Sequence, residues 1–349
     1  MRRHALAALI LVLFTGVAGA QPPARTPLRE IVQITGDLYR ARNNNYFSIF
    51  LVTPDGIILA DPVNVAFATW LKEQFGQRFK VPVRYVIYSH SHWDHIEGGA
   101  VFADTARFVA HEGVARNMDG RIPQMPGDML DRNNNGTFEL SEIVDPMTNN
   151  NNRCGMPASF FKTSDRNSDG VMTPAELFQD VRKPDIVYSD RMQLVLGGKR
   201  VELIHPGKNH ADDATVILFP AERVLFATEF ISDVALGATA SPRAFPSACG
   251  PFDGSPLSEW IKSYRTVESL DFDTFAGGHG ALAKKADVTL VREFFEEIVR
   301  AVSKGMSEGK SLAELQRTLL FEKYKDWSGY EQRRAPTIES AYNNLKIYR

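Results

Sequence analysis

Residues Tyr85 to Gly99 read YVIYSHSHWDHIEGG, an apolar run that ends in His90, His92, Asp94 and His95. Few folds can use such a cluster, because it needs a rigid strand end to aim it. Side chains alternate along an extended segment, so His90 and His92 project to one side and can share a cation. Asp94 and His95 fall where strand gives way to helix, and can turn toward a neighbouring second cation. Imidazole and carboxylate together suit zinc or, less often, iron or manganese.

Two further histidines stand in comparable surroundings, His210 in PGKNHADD and His279 in FAGGHG. Both sit in loops at strand ends, and glycine-rich loops outside the strand ends of an α/β sheet are where ligands gather. Either histidine by itself would be an ordinary surface residue; the H-x-H-x-D-H cluster makes both candidate ligands. His111 in FVAHEG and His205 in LIHPG lack such support and read as structural.

The rest of the chain supplies the strands and helices that such a site requires. Short β-runs at Ile31 to Arg40, Tyr46 to Thr53 and Gly56 to Asp61 are punctuated by turn residues, with Pro54-Asp55-Gly56 as a hairpin turn. A helix follows over Val65 to Phe79, then a buried strand over Val83 to Ser89 and a helical start over Ile96 to Phe102. A second half repeats the mixture. Its strands are Arg191 to Leu196, Arg200 to Ile204, Thr215 to Phe219 and Val224 to Ala227. Its helices are Leu257 to Glu268 and Asp287 to Ser303, then one opened by the Ser311-Leu312-Ala313-Glu314 capping box and one after Pro336. The architecture expected is α/β in two halves.

Before these elements, Arg2 and Arg3 precede an apolar run from Ala5 to Val17 and then Ala18-Gly19-Ala20, the pattern of a cleaved signal peptide over 1–20. No later stretch offers the ~20 apolar residues of a membrane span. The expectation is an exported protein, periplasmic or secreted, with no membrane span after cleavage. The formal net charge is −2, and removal of Arg2 and Arg3 makes the mature chain more acidic, so no basic patch suggests nucleic acid. The two cysteines, Cys154 and Cys249, could pair in an oxidising compartment, but their spacing alone does not decide it.

The order HSHWDH, PGKNH, LFATEF and GGHG resembles the metallo-β-lactamase superfamily, over roughly Ile31 to Asn117 and Asp185 to Leu282. The resemblance implies a four-layer αββα sandwich with metals in the groove where the sheets meet. It divides the chain into a leader (1–20), a first half (21–118), an insertion (119–184) and a second half with C-terminal helices (185–349). It implies that His90, His92 and His210 hold one metal, and Asp94, His95 and His279 the other, two zinc ions being expected. The family usually presents aspartate or cysteine where LFATEF has Glu229, a departure that also resembles the alkylsulfatase branch. Glu229 could bridge, bind one metal or act from behind the ligands.

A cation held by three protein groups with one open position lowers the pKa of its water to ~7 and polarises the bond under attack. This implies hydrolysis of a small-molecule substrate without a covalent intermediate, with Asp94 handling the proton of the nucleophile. No G-x-S-x-G elbow competes. Substrate choice would lie with Asn43-Asn44-Asn45-Tyr46-Phe47 and with Ser232 to Ser255. An amide or lactam, a thioester, a lactone, or a sulfate or phosphate ester all fit the same metals. Two other readings are a mononuclear iron oxidoreductase of persulfide-dioxygenase type and a non-catalytic metal- and calcium-binding protein.

Within 119–184 the texture changes to Asn, Asp, Gly, Met and Pro. Two stretches fit D-x-[DN]-x-[DN]-G-x5-E. In the first, Asp131, Asn133 and Asn135 precede Gly136, Thr137, Glu139 and Glu142. In the second, Asp165, Asn167 and Asp169 precede Gly170, Val171, Thr173 and Glu176. Short oxygen-bearing side chains suit Ca²⁺, the glycines allow the sharp turn, Thr137 and Val171 offer carbonyls, and Glu142 and Glu176 each offer two oxygens. These stretches resemble a paired EF-hand expected to bind two calcium ions, with Phe138 and Met172 placed to join the loops in a short β contact.

Overall fold

The computed structural model describes residues 27–118, 133, 135–139, 141–142, 161, 164–230, 245 and 255–348. The leader over 1–20, Asp131, both cysteines and most of Ser232 to Ser255 lie outside the described residues.

Two mixed sheets face one another. The first contains β1 (Arg29–Thr35), β2 (Leu38–Asn43), β3 (Tyr46–Thr53), β4 (Gly56–Ala60), β5 (Val83–Ile87), β6 (Arg107–His111) and, from beyond 119–184, β9 (Ile186–Tyr188). Its spatial order is β1-β2-β3-β4-β5-β6-β9, antiparallel through β4 and parallel from there to β9. A two-stranded ribbon, β7 (Phe138–Glu139) with β8 (Val171–Met172), lies within the insertion. The second sheet runs in order through β10 (Arg191–Leu196), β11 (Lys199–Ile204), β12 (Val216–Phe219), β13 (Val224–Phe226), β14 (Thr274–Ala276) and β15 (Ala283–Lys284).

Alternation along these strands builds the layers. Ile49 and Leu51 of β3 join Leu203 of β11 and Ile217 of β12 in the seam between the sheets. The intervening Phe50 turns outward and packs with Phe67, Leu71 and Phe75 of helix α1 (Val65–Arg78). Asn64 caps that helix, its side chain accepting from Phe67 N at 3.0 Å. On the far side, Leu218 and Leu225 meet Trp260 and Tyr264 from the second long helix (Leu257–Glu268) and Phe295 from the third (Lys285–Ser307). The result is the αββα sandwich. Among the described residues, no helix is long and apolar enough to cross a membrane.

Several elements differ from the expectation. The single run over Ile31 to Arg40 is two strands, because Gly36 at φ 52° turns the chain between β1 and β2. Strands β6, β9 and β14 are too short to show a period of their own, and are held by pairing to neighbours. The last helix begins at Tyr330, not after Pro336, and carries that proline inside it. An interior proline costs about 3 kcal/mol. Burial of Tyr330, Ile338 and Ala341 is of the same order or larger, at about 1.5–3 kcal/mol per large apolar side chain. Gln316 and Arg334 also tie this helix to the segment before it, through Ala335 O at 3.0 Å and Leu319 O at 2.8 Å.

Candidate metal centre

Strand β5 ends at Ile87, and the next residues curl over the sheet edge while pinned from below. Asp61, at the end of β4, accepts from Ser89 N at 2.9 Å through Oδ1 and from Thr228 Oγ1 at 3.0 Å through Oδ2. Asp213 Oδ1 accepts from Ser91 N at 3.3 Å, and its Oδ2 accepts from Asn117 Nδ2 at 2.8 Å. His90 and His92 are thus fixed by two buried carboxylates that bind backbone. Asp94 and His95 lie on the short helix Trp93–Ile96.

The loop after β11 brings in His210, whose Nε2 lies 3.0 Å from His92 Nδ1. Ligand-type atoms of His90, His92 and His210 all fall within 4.8 Å of one another. Behind this loop His205 stacks on His111, ring centroids 4.1 Å apart, and His205 Nδ1 meets Ala214 O at 2.8 Å. Both therefore sit in the scaffold.

A second triad adjoins the first. Atoms of His95, Glu229 and His279 also lie within 4.8 Å of one another. Glu229 Oε1 is 2.8 Å from His279 Nε2 and 3.3 Å from His95 Nε2, and the His90 and His95 rings are 4.9 Å apart. Asp94 stands beside this triad, its Oδ2 3.8 Å from His95 Nε2 and accepting from Tyr46 Oη at 3.2 Å. The resemblance grouped Asp94 with His95 and His279; here Glu229 lies nearest to both. Glu229 reaches that position from a left-handed backbone, φ 66°, which aims a side chain one methylene longer than aspartate.

The His279 loop is clamped by the β2–β3 hairpin. His279 Nδ1 lies 2.9 Å from Asn45 O, which leaves Nε2 directed at Glu229. Buried Arg40 donates from one nitrogen to Gly277 O and Gly280 O, both at 2.8 Å, while stacking on the Phe47 ring. Burial, with the neighbouring charge of Arg42, lowers its pKa to about 9. Gly278 has no alternative, because a Cβ there would lie 2.6 Å from Thr228 Cγ2. Asp61, Asp213, Asn117, Thr228 and Arg40 were not singled out by sequence reasoning. A lone Asp at a strand end carries no motif, and only the fold shows what it holds.

The donor set fits cations. His90 Nε2 and Asp94 Oδ1 are buried without a hydrogen-bond partner. Burial, and the adjacent imidazoles, hold His90 and His92 well below the usual histidine range, in the neutral form that ligates. Burial opposes charge on Glu229, but His279 and His95 more than reverse it and hold the carboxyl well below its ordinary value. Burial likewise opposes charge on His95, and Asp94, Asp61 and Glu229 override it, raising its pKa.

Of the residues expected from the sequence to bind calcium, Asn133, Asn135, Thr137, Glu139 and Glu142 of the first loop and the whole second loop are described. Gly136 and Gly170 take φ 84° and 87°. Phe138 pairs with Met172 and Glu139 with Val171, so the two loops meet in an antiparallel contact. Glu176 Oε1 accepts from Arg166 N at 3.1 Å, and Asp165 Oδ2 from Gly170 N at 2.9 Å.

Comparison with known proteins agrees with this geometry. The family model described as the metallo-beta-lactamase superfamily matches residues 48–279. The 2,4-dinitroanisole O-demethylase subunit alpha of Nocardioides sp. (strain JS1661) is 24% identical over 199 residues, 57% of this chain and 40% of that protein. The chain thus spans well under two thirds of that relative's length. A metallo-beta-lactamase from Pontibacter korlensis superposes with a TM-score of 0.51 at 13% identity, covering 77% of this chain and 99% of its own. A double mutant of the sec-alkyl sulfatase PisA1 gives a TM-score of 0.59 at 13% identity, covering 91% of this chain and 50% of its own. At that identity the two structures show a shared fold.

Two outcomes are expected from this arrangement. Glu229→Gln keeps the size and removes the charge, and should weaken zinc binding at the His95 triad about 10–100-fold in a chelator competition while sparing the first triad. Unchanged affinity would remove Glu229 from the ligand set. A cation entering that triad must also displace the proton that the surrounding carboxylates hold on His95. Binding there should therefore weaken as pH falls, about tenfold per unit for one proton. A zinc affinity flat between pH 6 and 8 would contradict this.

Proposed function

The chain belongs to the metallo-beta-lactamase superfamily, and from its two adjoining triads of buried ligand atoms we propose that it is an exported hydrolase that attacks its substrate with metal-activated water. His90, His92 and His210 would hold one cation, and His95, Glu229 and His279 the second, zinc being the metal this donor set suits best. When bound, such cations supply hydroxide at neutral pH and polarise the bond under attack.

The protein's own contribution is orientation and proton handling. Tyr46 donates to Asp94 Oδ2, which leaves the buried Oδ1 to take the proton of the attacking water. The charge of Asp94, and then burial, keep the Tyr46 phenol protonated and so a donor across the neutral range. Its ring also packs edge-on to His279, centroids 4.7 Å apart, so one side chain braces the proton acceptor against a ligand of the second triad.

Support for the hydrolase reading is the pairing of the triads. The panel that tests it should include a β-lactam, a thioester, a lactone, sulfate and phosphate esters, and an aryl methyl ether. The names of the alkyl sulfatase and O-demethylase relatives motivate the sulfate ester and the ether. Purified protein should carry about two zinc ions per chain, and His92→Ala or His210→Ala should lower metal content and turnover by orders of magnitude. One iron per chain and no zinc, with oxygen consumed in turnover, would replace the hydrolase with an oxidoreductase.

The loops opened by Asp131 and Asp165 are proposed as calcium sites, all-oxygen and separate from the imidazole-rich groove. Extracellular calcium modules bind at ~10⁻⁴ to 10⁻³ M. At the tighter limit ~1 mM calcium adds about 1.4 kcal/mol per site, enough to raise the melting temperature by about 2 °C per site in a chain of this size. Thermal melts and calorimetry of zinc-loaded protein, beside a Glu142→Gln, Glu176→Gln double variant, read this out. Identical melts and no calcium heat in the unmodified protein would leave the loops as turns.

A further inference from the structure

Trp93 stands inside the H-x-H-x-D-H cluster, between His92 and Asp94, and is 2% exposed. Its neighbours in the core are unexpected for a residue of the main sandwich. It clusters with Phe138, Phe161, Met172 and Leu177, all of which come from 119–184. Phe138 and Met172 are the two residues that pair across the calcium-loop ribbon. The indole that begins the helix of Asp94 and His95 is therefore packed against the buried apolar side chains described in the insertion.

Two polar contacts grip the same motif from either side. Arg166, second residue of the loop opened by Asp165, bonds Glu97 at 2.7 Å and Asp180 at 2.9 Å. Glu97 follows His95 by two residues. On the other side Asn117, just before the insertion, donates to Ser91 Oγ at 3.4 Å and to Asp213, which in turn holds Ser91 N. A helix of four residues cannot fix its own orientation, since a single turn is unstable without tertiary packing. An indole buries about 150–250 Å² and dominates the cores it joins. The direction in which Asp94 and His95 face is thus set in large part by where Trp93 is seated.

We propose that Trp93 is a positioning residue through which the 119–184 segment sets the geometry of Asp94 and His95. Calcium in the two loops and a cation at the His95–Glu229–His279 triad are then coupled, each tightening the other. The calcium half of this rests on the calcium reading given above; the positioning half does not.

The experiment is zinc titration of the full mature chain against a chromophoric chelator, in resin-treated buffer with or without 1 mM calcium and with magnesium as the control. Calcium should tighten the second zinc site by about 5–150-fold and leave the first unchanged, and zinc should tighten the combined binding of calcium to both loops by the same factor, since coupling between sites is reciprocal. Trp93→Ala should weaken the second zinc site in both buffers and reduce the calcium effect below about twofold, while Trp93→Phe keeps part of each. Met172→Ala, which removes no ligand on either side, should weaken coupling in the same direction, and it carries the test should Trp93→Ala not fold. Calcium heat with an unchanged second zinc constant would overturn the coupling and leave the calcium sites standing. Absence of calcium heat would overturn the calcium reading and the coupling together. A second zinc site unaffected by both Trp93→Ala and Met172→Ala, in protein that retains the first, would overturn the positioning role.

Discussion

A carboxylate sealed among imidazoles, Glu229 against His279 and His95, is the contact around which the two halves of the sandwich close. His95 comes from the first half, Glu229 and His279 from the second, and loss of Glu229 would leave a buried His95, whose charge its carboxylate neighbours favour, with one counter-charge fewer. Unpaired buried charge costs several kcal/mol, so the surrounding structure is arranged to keep the group together. Asp61 and Asp213 do this at one edge by holding the backbone of Ser89 and Ser91. Arg40 does it at the other by drawing in the His279 loop. Asp213 and Arg40 hold backbone groups beside the histidines, while Asp61 also faces the His95 ring itself, its Oδ2 3.6 Å from Nδ1.

Part of the backbone strain lies at the same place, three of the eight left-handed non-glycine residues among those described. Asp61, Val63 and Glu229 all adopt left-handed backbone, which non-glycine residues populate at a cost of about 1–3 kcal/mol. Val63 is β-branched, for which that region is least favourable. The sheets behind them, with Leu203, Ile217, Ile49 and Leu51 fully buried in the seam, supply the packing that holds these conformations. The sandwich is in this sense the support for a few unfavourable residues at its rim.

The H-x-H-x-D-H cluster was legible because four ligand-type side chains within six positions have few other uses. His210 and His279 were legible only beside it. Most of the longer strands, the long helices and the Ser311 capping box were readable from period and punctuation. Glu229 was readable as a carboxylate in the right motif, but its place at the centre of the second triad depends on a left-handed backbone that no local pattern announces. Asp61, Asp213 and Arg40 act across large separations, and a single sequence does not carry that information. Trp93 occupies a position that the motif leaves free, so its partners become visible only when Phe138 and Met172 are seen beside it. Pro336 pointed the wrong way, since a strong local rule was outweighed by the burial of Tyr330 and Ile338.

The order in which these partners occur along the chain has a consequence for folding. His92 and His210 are separated by 118 positions, and Arg40 reaches Gly277 across 237. Contacts this distant close late, because chain entropy must be overcome before they return any energy. β6 meets its outer neighbour β9 only after 119–184 has been traversed. The first sheet therefore waits for residues made well after its other strands, and the ligand triads wait for both sheets. The early steps fall instead to hairpins of short separation such as β2–β3 and β10–β11.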